Sequence, residues 1–349
     1  MKIEVKQLIN IYEQALLAKS DNVLVHLQLV ELYYSQGDFQ GACDTCKKVL
    51  NIQPDLAKTN ATVKRVLFTQ DKHIKFKQEK FKIIEVDTQS LVNYPNAINQ
   101  IYLGELDGLL IREFLNPETA LQVKNNFSKI SYVHPPSSFG SFVHLHTLKE
   151  ISKREGYTLK YLISDFWKAI NKTFVGNLKD KLEETFNVIS RLIPVAEIVA
   201  YHQDVLYIPA SFKVLYSNKG GFGSHRDDEA LEIFDDYDNL KRILDLKTVI
   251  SYFIVIDKAE QGGELILYHL LREETPEELR HIPYLHPLRD AYLENFPQEV
   301  VDANVGDMVI FNSSKIWHRV LKIQGRNNRI TVGGFLAKSK NENRIFYFG

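Results

Sequence analysis

The sequence is short of cysteine, of net charge and of long apolar runs. Its 349 residues include only Cys43 and Cys46, too few to cross-link a secreted scaffold. Its 43 basic and 44 acidic residues leave a net charge of −1, so no overall field attracts nucleic acid or anionic lipid. The longest stretch without charged residues, Ile130–Leu148, contains prolines and a glycine, which excludes a membrane span. The N-terminus also lacks the apolar block of a signal peptide. We therefore expect a cytoplasmic protein without nucleic-acid or membrane partners.

What the sequence does contain is enough apolar material for a folded core. Apolar residues make up 44% and charged residues 25% of the chain, as in ordinary globular proteins. The length corresponds to two or three domains at roughly 100–200 residues each. We predict a helical region over 1–68, a polar linker over 69–82 and a larger domain over 83–349.

The first part of the chain carries the pattern of a helix–turn–helix repeat. Within residues 23–56, five positions match the leucine, aromatic, turn glycine, small residue and terminal proline of a repeat of about 34 residues. They are Leu29, Tyr33, Gly37, Ala42 and Pro54. The segment resembles a tetratricopeptide repeat, and the alternative is a plain helical hairpin. Cys43 and Cys46 fall on the second helix, where we interpret them as packing residues.

From residue 193 onward, the pattern changes to short β-branched and aromatic runs separated by turns. These runs favour an α+β protein whose core, about 193–348, is a barrel or jelly roll rather than a parallel sheet. Two polar insertions, 228–247 and 269–298, interrupt the strands and are expected at a rim. The predicted strands are Ala196–Tyr201, Phe212–Tyr216, Thr248–Ile256, Glu264–Tyr268, Asp307–Phe311, Arg319–Ile323, Arg329–Leu336 and Ile345–Phe348.

Two helices are predicted ahead of this β-rich region. Asn116 followed by Pro117 is typical of a helix start, with the asparagine as the cap. Farther along, apolar residues recur at four-residue steps from Tyr161 to Phe186. This spacing predicts one long amphipathic helix that covers a sheet.

Two histidines and an aspartate are the strongest chemical signal in the chain. His225 and Asp227 follow a predicted strand and a glycine-rich turn, and residues i and i+2 of an extended segment point to the same side. His318 stands near a later strand and offers a third ligand. Two imidazoles and one carboxylate leave three positions open on an octahedral Fe(II), as non-haem oxygen chemistry requires. Arg329 follows eleven residues later and suits bidentate capture of a carboxylate.

Residues from roughly 106 to 337 resemble an iron(II)- and 2-oxoglutarate-dependent dioxygenase of the prolyl-hydroxylase type. The likeness rests on the order strand, Gly-Gly turn, H-x-D, Gly262-Gly263-Glu264, Gly306-Asp307, histidine, arginine. The resemblance implies a double-stranded β-helix core with supporting helices, and Fe(II) bound by His225, Asp227 and His318. It also implies O2 and 2-oxoglutarate as cosubstrates, with ascorbate as a candidate reductant.

The resemblance also assigns residues to the 2-oxoglutarate pocket. Arg329 is expected to hold the distal carboxylate, with Thr331 as the accompanying hydroxyl and with Tyr216 and Tyr252 as hydrogen-bonding tyrosines. The gap from His318 to Arg329 exceeds the commonest spacing, which leaves Arg326 as a rival anchor. The insertion 269–298 is long for the family, so no substrate contact is assigned there.

The identity of residue 227 predicts the reaction. Related halogenases carry a small residue at this place, which makes room for chloride on the iron. An aspartate therefore predicts hydroxylation and not chlorination.

Three alternatives for the substrate follow from the whole sequence. The leading one is a peptidyl or protein residue, which the N-terminal helices help to present. The second is a free amino acid or small biosynthetic intermediate, over which the two insertions close. The third is an interaction protein without catalysis, which the intact triad and arginine disfavour.

Overall fold

The computed structural model describes most of the chain in five stretches. They cover 5–56 without 37, 60–66 in part, 81–129, 141–143, and 167–349 without 169, 176, 192–194, 199, 203, 204, 234–237 and 342. The chain divides into two compact units, Met1–Gln78 and Glu79–Gly349. None of the described helices has the length and hydropathy needed to cross a bilayer.

The first unit is helical, with helices α1 Val5–Ala18, α2 Val23–Ser35 and α3 Phe39–Ile52. Asp38 caps α3 by accepting a hydrogen bond from the backbone N–H of Gly41 at 2.9 Å. Cys46 is buried in an apolar cluster between α2 and α3, as a packing residue would be. The helical hairpin is therefore present. Its interpretation as a tetratricopeptide repeat stays a prediction, and its turn residue Gly37 lies outside the described residues.

Among the described residues, the second unit is built on a sheet of nine strands, most of them antiparallel. Their bounds are β1 Ile83–Asp87, β2 Gly108–Arg112, β3 Ser141–Val143, β4 Val195–Ile198, β7 Ser211–Leu215, β9 Leu244–Asp257, β12 Met308–Phe311, β14 Arg329–Ser339 and β15 Ile345–Phe348. Seven strands follow the order β1, β2, β12, β9, β14, β15, β4. One edge of β14 pairs with β9, and its other edge pairs with β7 along its first half and with β15 along its second half. The strand β7 in turn pairs with β3.

A second sheet of four strands, in the order β11, β10, β13, β8, completes the jelly roll. Its strands are β8 Phe222–His225, β10 Leu265–Leu271, β11 Gln298–Val301 and β13 Ile316–Val320. A short hairpin of β5 Ala200–His202 and β6 Val205–Leu206 stands apart from both sheets. The α+β jelly-roll class is therefore confirmed.

In the described part of the second unit, seven further α-helices have defined bounds. Three of them, α4 Ala97–Leu103, α5 Pro117–Phe127 and α6 Leu178–Ile189, contribute buried apolar residues to the core on one face of the large sheet. The remaining four lie in the two insertions: α7 Asp227–Ile233, α8 Asp238–Ile243, α9 Glu277–His281 and α10 Pro287–Leu293. The predicted helix start is confirmed, because Asn116 accepts a hydrogen bond from the backbone N–H of Thr119 at 2.8 Å.

Side chains along the strands of the large sheet point alternately to its two faces, so each face carries its own apolar core. In β12, Met308 and Ile310 face the helices, whereas Val309 and Phe311 face the small sheet. The helix-side core is the larger, and the inner core joins Val309 to residues such as Leu267 on the small sheet. The candidate site lies on the face of the large sheet that is turned toward the small sheet. Because side chains alternate along a strand, a residue and its next neighbour fall on opposite faces, one toward the site and one toward the helix-side core.

Two sequence predictions for this unit are wrong in their bounds. The single helix from Tyr161 to Phe186 is broken, since Phe174 and Val175 are not helical and α6 begins only at Leu178. Asn177 precedes α6 with φ of 57°, a left-handed conformation that asparagine tolerates and that interrupts a right-handed helix. The glycine-rich segment before His225 is also not all turn, because its second half forms β8.

Candidate iron and cosubstrate site

The small sheet and the start of α7 bring the three predicted metal ligands together. His225 ends β8, and β8 pairs with β13 so that His225 lies opposite His318. Asp227 begins α7, and its Oδ1 lies 3.3 Å from His225 Nε2 while its Oδ2 lies 3.8 Å from His318 Nε2. One ligand atom from each residue lies within 4.8 Å of the others. His225 and His318 are buried, and the side chain of Asp227 is 13% exposed.

The backbone fixes which nitrogen of each imidazole faces the centre. His225 Nδ1 contacts the carbonyl of Gly223 at 2.7 Å, and His318 Nδ1 contacts the carbonyl of Ile316 at 3.0 Å. A carbonyl only accepts, so each Nδ1 carries the proton and each Nε2 presents its lone pair to the centre. Such outer hydrogen bonds orient the histidine ligands of metals.

The carboxylate is held as firmly as the imidazoles. The backbone N–H of Asp227 donates to the carbonyl of Ser313 at 3.1 Å, and the hydroxyl of Ser251 donates to its Oδ2. The two imidazole rings lie 4.3 Å apart between centroids, and Phe311 packs edge-on against His318. The ligand atoms are thus preorganised by strands β9, β12 and β13.

Electrostatics keep His318 and Asp227 in their metal-binding protonation states. Burial and the neighbouring His225 lower the pKa of His318 to about 3, so its imidazole is neutral at physiological pH. Burial would raise the pKa of Asp227, but His225, His318 and the Ser251 hydroxyl lower it well below its usual range. A neutral imidazole and an ionised carboxylate fit Fe(II), since neither has to lose a proton before the metal binds.

Arg329 lies on the inner face at the first position of β14. It is 6% exposed, and its guanidinium carbon lies 5.3 Å from the centre of the Phe253 ring. Burial lowers its pKa to about 10, and the nearby Glu264 opposes the shift, so the side chain stays cationic. Gly263, with φ of 80°, allows this approach, because an added Cβ would lie 3.0 Å from Arg329 Cδ. Thr331, two residues on, is buried on the same face.

The rival Arg326 lies at the surface. Its side chain is 92% exposed and pairs with Glu260 at 3.2 Å. The structure therefore brings Arg329 and not Arg326 to the interior between the sheets.

The two predicted tyrosines lie on the other face of their strands. Tyr252 belongs to the helix-side core, packs against Phe186 at 4.9 Å, and donates its hydroxyl to the carbonyl of Pro209. Tyr216 packs against the same helix-side core. The structure does not bring either ring to the interior, so their roles as cosubstrate ligands are not carried forward.

Lys213, which was not among the predicted site residues, faces the interior from β7. Phe212 and Val214 belong to the helix-side core, so Lys213 between them points inward. Its Nζ lies 4.3 Å from the centre of the Phe222 ring. The sequence pattern that could have identified it is a lysine between two apolar residues, Phe212 and Val214, of a predicted strand, because such a lysine points away from the apolar face.

Part of the insertion 269–298 packs over the triad. The ring of Tyr284 meets His225 edge-on at 5.8 Å, and Leu285 adopts φ of 57°. Such a left-handed conformation is strained for leucine and persists where the surroundings fix it. Asp290 of α10 anchors the segment by accepting a 2.7 Å hydrogen bond from the backbone N–H of Ser224. The sequence analysis expected this insertion at a rim, or closing over a small substrate, and assigned no contact to it.

Comparison with known proteins gives one family and several similar structures. The sequence model of the family described as carrier-protein-independent halogenase WelO5 matches residues 80–349. None of the curated proteins matches the chain.

Three solved structures illustrate the similarity. An N-substituted L-amino acid dioxygenase from Burkholderia ambifaria AMMD has 16% identity and a TM-score of 0.46, over 72% of this chain and 90% of that chain. A 2OG-Fe(II) oxygenase from Burkholderia pseudomallei has 10% identity and a TM-score of 0.37, over 74% and 94%. A Pseudomonas putida prolyl-4-hydroxylase has 12% identity and a TM-score of 0.36, over 70% and 97%.

Proposed function

We propose that this chain, which belongs to the family of the carrier-protein-independent halogenase WelO5, hydroxylates a C–H bond of a free small molecule. The chain is a 2-oxoglutarate-dependent oxygenase, with Fe(II) as its metal and with 2-oxoglutarate and O2 as its cosubstrates. The outcome of the reaction and the class of substrate are the two parts of the proposal.

The residues of the site divide between the metal and the cosubstrate. His225, Asp227 and His318 would hold Fe(II) on one face and leave its remaining positions open. Arg329 would hold the distal carboxylate of 2-oxoglutarate through charge-assisted hydrogen bonds, with the Thr331 hydroxyl beside it. When bound, the metal and 2-oxoglutarate supply the oxidation of a substrate C–H bond by O2, with release of succinate and carbon dioxide. The protein residues fix the positions of these reactants and exclude water around them.

The carboxylate of Asp227 is the observation that carries hydroxylation. Related halogenases have a small residue at this position, which leaves a place for a halide. Here the position holds an aspartate whose backbone N–H donates to the carbonyl of Ser313 and whose carboxylate accepts a hydrogen bond from the hydroxyl of Ser251. A halide would have to displace this ligand from a preorganised site. Hydroxylation therefore follows from the residue, although the family is named after a halogenase.

A small substrate is supported by the segment that packs over the triad. Tyr284 and Leu285 lie against β8 on the side of His225, which narrows the approach for an extended polypeptide. The family name also describes an enzyme that works without a carrier protein, which agrees with a free substrate. The peptidyl substrate expected from the N-terminal helices becomes the competing outcome of the experiment.

A screen of cosubstrate turnover tests both parts of this proposal. Full-length protein with Fe(II), 2-oxoglutarate and O2 is offered pools of free amino acids and other small metabolites, and separately pools of unstructured peptides. We expect a small molecule to stimulate succinate release and to gain one oxygen atom by mass spectrometry. Stimulation by peptides alone would replace the small-molecule assignment.

A halide experiment tests the reaction outcome separately. With chloride in excess, the wild-type protein is expected to give only the hydroxylated product. Asp227→Gly is expected to lose hydroxylation, and its Fe(II) affinity falls because one of three ligands is gone. A chlorinated product from the wild-type protein would overturn the assignment of hydroxylation.

A further inference from the structure

We propose that Lys213 is a second cationic ligand of 2-oxoglutarate, which lies between the iron centre and Arg329 and orients the cosubstrate with it. The inference rests on the proposed role of Arg329 as the anchor of the distal carboxylate. It assigns a function to a residue that neither the H-x-D motif nor the arginine identifies.

Strand register places Lys213 on the same inner wall as the proposed anchor. In the antiparallel pair of β7 and β14, Lys213 lies opposite Thr331, and Leu215 lies opposite Arg329. Residues directly opposite on one face of such a pair have Cβ atoms about 4.5–5.5 Å apart. Lys213 and Thr331 are therefore neighbours on the inner face, and their pair lies two residues along the strands from the pair of Leu215 and Arg329.

Ring contacts connect the ammonium group of Lys213 to the triad. Its Nζ lies over the Phe222 ring at 4.3 Å, and that ring meets the imidazole of His225 edge-on at 4.6 Å. The ammonium is also within electrostatic range of Asp227 and Arg329. Lys213 thus interacts electrostatically both with Asp227 of the proposed metal site and with Arg329, the proposed carboxylate anchor.

The charges of the interior fit a dianion at this place. Among the described residues, the acidic groups that act on the two cations are Asp227, which acts on Lys213, and Glu264, which acts on Arg329. These two cations and two anions balance, so the two charges of Fe(II) are left to be met by the two carboxylates of 2-oxoglutarate. Without Lys213, the loaded site would carry an uncompensated negative charge in a low-dielectric interior, which is costly.

The environment of Lys213 agrees with a site that is completed by an anion. Burial lowers the pKa of Lys213 to about 8. The carboxylate of Asp227 raises this pKa, and the positive charge of Arg329 lowers it further. The lysine is half-buried. Because the side chain points to the interior, its remaining access is to the space between the sheets, where a cosubstrate carboxylate would stabilise its charge.

The test is an anaerobic titration of the full-length Fe(II)-loaded protein with 2-oxoglutarate, followed by the visible charge-transfer band of the chelate. Lys213→Met is expected to raise the dissociation constant about tenfold or more, and Lys213→Arg is expected to stay within a few-fold of wild type. Lys322→Met, which removes an exposed lysine, is the matched control and is expected to have no effect. Fe(II) affinity without 2-oxoglutarate is measured for each variant.

The outcomes separate this inference from its premise. A wild-type protein without the band, or an Arg329→Met variant with wild-type affinity, would remove the proposed anchor. A normal wild-type titration with an unchanged constant in Lys213→Met would overturn the role of Lys213 alone. A loss of Fe(II) affinity without a change for 2-oxoglutarate would make Lys213 a counter-ion of Asp227. If Lys213→Met fails to fold, Lys213→Gln gives the same comparison.

Discussion

Two arginines three positions apart differ in everything that a carboxylate anchor needs. Arg326 is a solvated partner of Glu260, and ion pairs of that kind contribute little. Arg329 is enclosed by Phe253 and Gly263, where its charge is poorly solvated until an anion arrives. Burial therefore favours Arg329 as the carboxylate anchor, a choice that the spacing along the chain did not decide.

The first prediction compares these two arginines directly. Arg329→Met should weaken 2-oxoglutarate binding by at least about thirtyfold, because a buried charge-assisted contact contributes roughly 2–4 kcal/mol. Fe(II) binding in the absence of 2-oxoglutarate should stay close to wild type, since the triad is untouched. Isothermal titration under anaerobic conditions measures both, with Arg326→Met as the control. An effect of Arg326→Met equal to that of Arg329→Met would contradict the assignment.

The structure brings the predicted metal ligands together where the chemistry requires a fixed spacing. His225 and Asp227 are two positions apart, and His318 was selected for its place beside a later strand and for the resemblance to the dioxygenase family. The structure places Tyr216 and Tyr252 on the opposite face of their strands, because a shift of one position moves a strand residue to the other face. The sequence does not reveal where β7 and β9 start their alternation, and the same uncertainty concealed Lys213.

At the scale of elements, ion pairs and hydrogen bonds between the two insertions hold the segment that carries Asp227. We call the contacts of Arg289 with Glu229 and of Arg226 with Asp228 and Thr275 the clamp. Arg289 of α10 makes a bidentate ion pair with Glu229 of α7 at 2.7 and 3.2 Å. Arg226 binds Asp228 at 3.1 Å and Thr275 at 3.1 Å. The residues on both sides of Asp227 are thus held by the second insertion.

The second prediction concerns this clamp. Arg289→Met removes the bidentate partner of the largely buried Glu229 carboxylate and leaves it the backbone N–H of Arg226 at 3.2 Å and the Arg226 guanidinium at 3.8 Å. Breaking a buried pair costs about 3–5 kcal/mol of unfolding free energy, and the contacts to Arg226 put the expected loss at the lower end of this range. Urea denaturation is followed by the fluorescence of the two tryptophans, one of which, Trp317, lies 5.1 Å from the Arg289 guanidinium. Fe(II) affinity should fall as well, because α7 begins at Asp227.

Two further variants control the clamp experiment. His281→Ala removes an exposed ion pair with Glu277 in the same insertion and should cost less than about 1 kcal/mol. The double variant Glu229→Gln with Arg289→Met should recover part of the loss, because no unpaired charge remains. Equal losses for Arg289→Met and His281→Ala would show that the clamp does not stabilise the unit.

The third prediction uses the pair of strands β7 and β14. The Lys213 cation is present below its pKa of about 8 and is lost above it. A bound dianion raises that pKa, so 2-oxoglutarate affinity should decrease as pH rises above 8, by up to about tenfold per pH unit. The groups acting on Lys213 are Asp227 and Arg329, and Arg329 stays charged up to about pH 10.

Measurement between pH 7 and 9 tests this dependence. The Lys213→Arg variant should bind 2-oxoglutarate with nearly constant affinity over that range, because arginine does not titrate there. A wild-type affinity that is constant across the same range would show that Lys213 contributes no charge to binding.

Element-level prediction found where many of the strands lie but not all of their bounds. Each of the eight predicted strands overlaps an observed strand, because β-branched and aromatic runs are intrinsically suited to sheets. Ala196–Tyr201, however, covers β4 and part of β5, and Arg319–Ile323 shares only two residues with β13. The strands β1, β8 and β11 were not predicted. The long helix was broken because its apolar spacing continued across Asn177, whose left-handed conformation is set by tertiary context. The strand β8 was not recognised because it lies in a glycine-rich segment and pairs with β13, which is distant in sequence.

At the scale of the whole molecule, the family match and the compact units coincide. The family covers 80–349, and the contacts divide the chain after Gln78. The triad, Arg329 and Lys213 all belong to Glu79–Gly349. The first unit therefore supplies none of the residues to which we assign chemistry, and its role depends on the size of the substrate.

The last prediction separates the two substrate classes by removing the first unit. A protein consisting of Glu79–Gly349 should keep the charge-transfer band and the 2-oxoglutarate affinity of the full chain, because its core is formed by its own sheets and helices. If the substrate is a small molecule, its kcat/KM should stay within about threefold of wild type. Thermal unfolding of both proteins controls for folding. A truncated protein with intact cosubstrate binding and lost turnover would instead assign substrate presentation to the N-terminal helices, as a peptidyl substrate requires.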